Sequence, residues 1–131
     1  GPDISVEPEV VDFFVDGGPV FIAESVSITG SKIVSITVTI QNPSAGDVLL
    51  AVSTPEVDAT GSGTTSITLT QADANDPASA NDFAAAVESI EFDYEVPGGE
   101  DPVTSNRTIT YIGNDGEESG EAATTEVDVS L

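Results

Sequence analysis

Apolar and polar residues alternate along most of this chain. The clearest run is Lys32 to Ile40. There Val34, Ile36, Val38 and Ile40 project to one side, and Ser35, Thr37 and Thr39 to the other. A period of two marks a strand with one buried face. Ser66 to Thr70 repeats the pattern through Ile67 and Leu69. Ile90 to Val96 repeats it with Ile90, Phe92, Tyr94 and Val96 inward and Glu91, Asp93 and Glu95 outward. Further strands are expected at Ile4–Val6, Val10–Val15, within Val20–Ile28, at Val48–Val52, at Arg107–Ile112 and at Glu126–Leu131. Gly, Asn, Asp and Pro clusters separate them, notably Asp16-Gly17-Gly18-Pro19 and the Asn42 to Asp47 turn. Residues 53–64 read as loop, with a short strand near Val57. One stretch departs from the period of two. Phe83, Val87 and Ile90 recur at helical spacing over an Ala-rich segment, with Asn81 or Asp82 placed to cap a short helix.

Short strands with turn signals roughly every dozen residues predict an all-β fold, an antiparallel β-sandwich with one short helical turn. The 131 residues make one domain. Strand periodicity outweighs the disorder that high net charge alone would suggest.

Charge changes the picture next. Twenty-four acidic residues face two basic ones, Lys32 and Arg107, for a net charge of -22. That many carboxylates repel one another and oppose compaction. A hard cation such as Ca2+, which takes about six to eight oxygen ligands, is the simplest relief. The charge is graded: residues 25–46 hold no acid, and residues 91–131 hold 11 of the 24. Two cations cannot make the basic footprint that nucleic acid needs, and an anionic membrane surface fails for the same reason. No stretch approaches the ~18 apolar residues of a membrane span.

Catalytic groups are scarce. There is no His for general-base work and no Cys nucleophile, and no phosphate-binding loop is visible. With 24 carboxylates, any pair at glycosidase spacing carries no information. A non-enzymatic role is expected.

Two stretches carry a family pattern. The first runs from Phe14 to Leu50. Asp16-Gly17-Gly18-Pro19-Val20 leads to Ile36-Thr37-Val38-Thr39-Ile40 and then to Ala45-Gly46-Asp47-Val48-Leu49. The second runs from Phe83 to Ser119. Phe83 to Phe92 leads to Asn106-Arg107-Thr108-Ile109-Thr110-Tyr111, then Asn114-Asp115-Gly116 and Ser119. Their order and spacing resemble the cadherin-like, immunoglobulin-fold repeats of very large secreted or surface adhesins, common in marine bacteria. The resemblance implies one repeat, spanning 1–131, excised from a larger multi-repeat extracellular protein. It implies a structural and adhesive role, with Ca2+ stiffening and with neighbouring repeats or other copies as partners. Asp16 looks like the family's acidic residue before the Gly-Gly pair, and Asp115 like the Asp of its Asp-Gly turn. The chain departs from the pattern at Thr29-Gly30-Ser31-Lys32, where many relatives are acidic.

The candidate metal ligands are Asp16, Asp73, Asp76, Asp115, Glu117 and Glu118. Asp115 to Glu118 packs carboxylates into one tight bend. Asp73-Ala74-Asn75-Asp76-Pro77 looks superficially like a cadherin linker but reads better as a loop that caps the following turn. Asn106-Arg107-Thr108 is a glycosylation sequon. Arg107, one of two cations among many acids, is expected to form a salt bridge. A carbohydrate-binding module is the alternative function, with glycans as ligands. It is disfavoured because most of the aromatics fall at inward positions and the chain has no Trp.

Overall fold

A computed structural model describes residues 1–131, and it is a β-sandwich-like arrangement. The strands are β1 (Pro2–Glu7), β2 (Val10–Phe14), β3 (Val20–Phe21), β4 (Ser25–Gly30), β5 (Ser35–Ile40), β6 (Asp47–Leu50), β7 (Val57–Thr60) and β8 (Ser66–Gln71). Helix α1 (Ala80–Glu88) follows, then β9 (Glu91–Tyr94), β10 (Arg107–Asn114) and β11 (Ala123–Ser130). One layer is the six-stranded sheet β2-β11-β10-β5-β8-β7. Against it stand the pair β1-β4 and the three-stranded sheet β3-β9-β6.

The alternation seen in the sequence sets the layers. Ile36, Val38 and Ile40 of β5, Ile67 and Leu69 of β8, Phe92 and Tyr94 of β9 and Ile109 and Tyr111 of β10 are all buried. They belong to one core cluster of 25 residues. Phe13 meets Phe92 edge-on across the sandwich, with ring centroids 5.2 Å apart. Such T-shaped pairs suit the positive edge and negative face of aromatic rings.

Several expectations need correcting. The sheets are not wholly antiparallel, because β2 runs parallel to β11. Strand β5 begins at Ser35, so Lys32 to Val34 lie outside it, and Ile33 is buried rather than Val34. Within residues 53–64 the short strand expected near Val57 is present, as the edge strand β7. Its outer backbone is blunted by the preceding loop: Val57 and Ala59 N–H groups donate to Thr54 Oγ1 and Ser53 Oγ. Helix α1 is capped by Ser79, not by Asn81, Asp82 or the Asp73 loop. Ser79 Oγ accepts from the Asp82 N–H, and the Asp82 carboxylate accepts from the Ser79 N–H. Asp82 is therefore the far half of a capping box. The helix lays Phe83, Ala84, Ala86 and Val87 into the core, and Glu88 accepts from the Val26 N–H of β4.

Strand directions give the sandwich two ends. β1 enters beside the β10–β11 turn, where the Glu121 N–H donates to Asp3. The loop between β4 and β5 and the one after β8 lie at this same entry end, because Ser35 pairs with both Asn114 and Thr70. β11 runs to the opposite, exit end, where the Val15 N–H donates to the Ser130 carbonyl. There lie the Asp16 turn, the Asn42–Gly46 turn and the long loop 95–106.

Candidate functional site

The most heavily built polar site is at the exit end, and its centre is Arg107. β10 turns Arg107 inward, in the same row as Ile109 and Tyr111, so the guanidinium enters the core. Asp47, the first residue of β6, meets it there. Arg107 Nε donates to Asp47 Oδ2 at 2.8 Å, and Nη2 donates to Oδ1 at 3.1 Å. Neither side chain reaches solvent. Nη1 donates to the carbonyls of Val103 and Ser105. Asp47 Oδ2 also accepts from the Ser44 N–H. The Tyr94 ring lies 4.6 Å from the guanidinium carbon, and its hydroxyl accepts from the Val103 N–H. No buried side-chain polar atom in the molecule lacks a partner. The arrangement ties β6, β9, β10 and the loop 95–106 into one brace. The salt bridge expected of Arg107 is present. Its partner Asp47 was not among the candidate residues.

The acidic candidates separate into distinct places. Asp115, Glu117 and Glu118 share the β10–β11 turn at the entry end. The Asp115 carboxylate organises that turn from within. Oδ1 accepts from the Glu118 N–H at 2.8 Å and the Glu117 N–H at 2.9 Å, and Oδ2 accepts from the Ser31 hydroxyl at 3.0 Å. The Glu118 amide, then the Glu117 amide, then the Ser31 hydroxyl hold its pKa down to about 2. Glu117 and Glu118 point into solvent.

Asp73 and Asp76 form a second, exposed loop at the same end, with Asp73 Oδ1 accepting from the Asn75 N–H. The Gly30–Lys32 segment stands between the two acidic loops: Lys32 lines one cleft with Ala74 and another with Asp115. Asp16 is at the exit end, in a left-handed conformation at φ 67. It borders a cleft of about 410 Å3 that Asp93 and Glu95 also line. No three acidic side chains converge closely enough to hold a metal ion between them. The six candidates thus divide between the two ends, Asp16 at the exit end and the other five at the entry end.

The strand-borne acids also sort themselves. Glu91, Asp93 and Glu95 belong to or follow β9, whereas Glu126 and Asp128 belong to β11 in the other layer, so these rows are not neighbours. The like-charge pair that does occur is Asp12 with Asp128, in register between β2 and β11 and both exposed. Asn106 is exposed at the mouth of β10. Its carbonyl accepts from Asn42 Nδ2, while the Thr108 N–H donates to Asn42 Oδ1. The Asn42 amide thereby extends the β5–β10 ladder.

Fold and brace together define an all-β sandwich domain with a buried ion pair at one end. Compared with protein-family models, curated proteins and solved structures, the chain matches none.

Proposed function

We propose that this domain is a non-enzymatic structural and adhesive module of a large secreted or cell-surface protein. Its work is mechanical: it extends the parent chain or associates with neighbouring copies. The observation that carries this reading is the placement of the acidic loops at opposite ends of the sandwich. The chain enters beside the Asp115 turn and the Asp73 loop, and β11 leaves beside the Asp16 turn. Modules joined in tandem would therefore bring the Asp16, Asp93 and Glu95 cleft of one copy toward Asp115, Glu117 and Glu118 of the next. Ca2+ shared across that junction would draw oxygens from both sides and relieve the facing charge. For the carbohydrate alternative only Phe14 and Phe21 are exposed aromatics, and they sit on different sheets.

The test is a tandem two-copy protein melted in millimolar CaCl2, in EDTA, and in NaCl matched for ionic strength. A cation that binds only the folded junction raises Tm by mass action. The expected result is a calcium-specific rise in the two-copy protein that exceeds any in the single domain. Equal melting in all three solutions would defeat the calcium bridge.

A further inference from the structure

A wide cleft runs along the side of the sandwich, starting just past the Asp3–Glu121 contact of the entry end. It has a volume of about 650 Å3. It exists because the chain changes layers at Pro8. β1 pairs with β4 in one layer, and β2 then joins β11 in the other. β2 covers β11 only from Glu126 onward, and no strand pairs with Ala123–Thr125 on that side. The Glu126 N–H points to this side, donating to the Glu9 carbonyl. Backbone groups two residues apart in a strand point the same way, so the Thr124 N–H and C=O face the cleft too.

We propose that this groove is a docking site for an extended, Lys- or Arg-bearing segment of a partner polypeptide. Three features select that occupant. At its bottom the almost fully buried Ile4 and Val6, with half-buried Ala123, leave a small apolar strip among polar neighbours for the aliphatic stem of a long basic side chain. The rim is anionic, with exposed Glu7, Glu9 and Glu24. The Glu24 N–H donates to the Glu7 carbonyl at 2.8 Å, which holds two of these acids side by side. None of the three takes part in either ion pair of the molecule. Lastly, the bare β11 edge offers main-chain partners to a strand laid beside it, the chemistry of β-augmentation.

The alternatives fit less well. A second copy of this chain brings a charge of -22, and of its two cations Arg107 is buried against Asp47. A metal ion would leave the bare β11 edge unused. The groove shares no residue with the proposed calcium junction, so either reading can fail without the other.

The experiment uses the intact domain and a short synthetic peptide of alternating Lys and Val, followed by backbone NMR at physiological salt. Expected is a set of shift changes confined to Ser5–Glu9, Glu24 and Ala123–Thr125. Affinity should fall about tenfold in the triple variant E7Q/E9Q/E24Q. The control variant E56Q/D58N/D101N removes as many surface charges elsewhere and should bind within about twofold of the parent. Melting curves verify that both variants fold. Three results would overturn the proposal. One is an equal loss in the two variants, which signals indiscriminate attraction to an acidic surface. The second is shifts spread over the whole molecule. The third is spermine binding the groove as tightly as the peptide, which assigns it to small polyamines.

Discussion

Asp47 accepts two hydrogen bonds from the Arg107 guanidinium inside the core, 60 residues apart in sequence and with no solvent contact at either side chain. Taking both charges out of water is expensive, and only the near-complete set of partners makes the site tolerable. Breaking it from one side leaves the other charge buried and unpaired. Arg107→Met or Asp47→Leu alone should each lose about 3–5 kcal/mol of stability in urea denaturation. The double variant R107M/D47L should recover most of that loss, because no orphaned charge remains. A double variant as unstable as the sum of the singles would mean that the carbonyls of Val103 and Ser105 and the Tyr94 ring dominate instead.

Tyr111 supplies a pH limit on the alkaline side. Burial pushes its phenol up to about 12, partly offset by the hydrogen bond it shares with Thr125. A folded-state pKa raised above the unfolded value near 10 means that the unfolded chain releases its proton first. This contribution is whole below pH 10 and disappears as pH rises through about 12. Two pKa units correspond to roughly 3 kcal/mol. Tyr111→Phe should flatten the loss of stability between pH 10 and 12, measured by denaturation at constant ionic strength. An unchanged profile would show that Tyr111 is not the group responsible.

Much of this fold was legible because one face of each sheet is dry. In β5, β8 and β9 the alternation of Val, Ile, Leu or Phe with Thr or Asp translates directly into buried and open faces. Arg107 was legible as an ion-paired residue because cations are so scarce. Asp47 was not. It ends an Asn-Pro-Ser-Ala-Gly run that reads as an ordinary turn, and only the packing of β6 beside β9 brings it under β10. The parallel match of β2 to β11 was hidden for a related reason: Val10-Val11-Asp12-Phe13-Phe14 lacks a clean alternation, and its partner is more than a hundred residues away. The helix start carries two good capping signals. Asp82 has the chemistry of an N-cap, but Ser79 three residues earlier completes a reciprocal pair with it. The acidic candidates were visible as a composition and invisible as places, since their sorting to two ends depends on strand direction.

Asp115 sets a limit on the acid side. The amides of Glu118 and Glu117 and the Ser31 hydroxyl hold its pKa near 2, below the ordinary 3.8. A depressed folded pKa contributes stability that is present above about 3.8 and is lost as pH falls through about 2. Because the carboxylate is exposed, the effect belongs to the turn rather than to the whole domain. Carbon NMR of the side-chain carboxyls should show Asp115 titrating well below the ordinary carboxylate range. Asp115→Ala should speed amide exchange at Glu117 and Glu118 and leave that of Arg107 unchanged. A titration midpoint for Asp115 in the normal carboxylate range would remove the turn-organising role.

The in-register pair Asp12 and Asp128 is a built-in conflict that a single substitution can relieve. The two carboxylates project from neighbouring parallel strands on the same exposed face, and no cation of this chain forms an ion pair with either. Like charges directly opposite each other destabilise a sheet, on the scale of the about 0.2–1 kcal/mol that favourable cross-strand pairs contribute. Asp12→Asn should therefore raise stability by that amount in dilute buffer, and Asp12→Lys should raise it further by pairing with Asp128. Both are exposed, so their repulsion is screened over the ~10 Å Debye length of 0.1 M salt and more strongly above it. The gain should shrink in 1 M NaCl, whereas Asp101→Asn, in an exposed loop without an opposed acid, should gain little at either concentration. A gain that persists undiminished in high salt would point to β-propensity at position 12, not charge, as its origin.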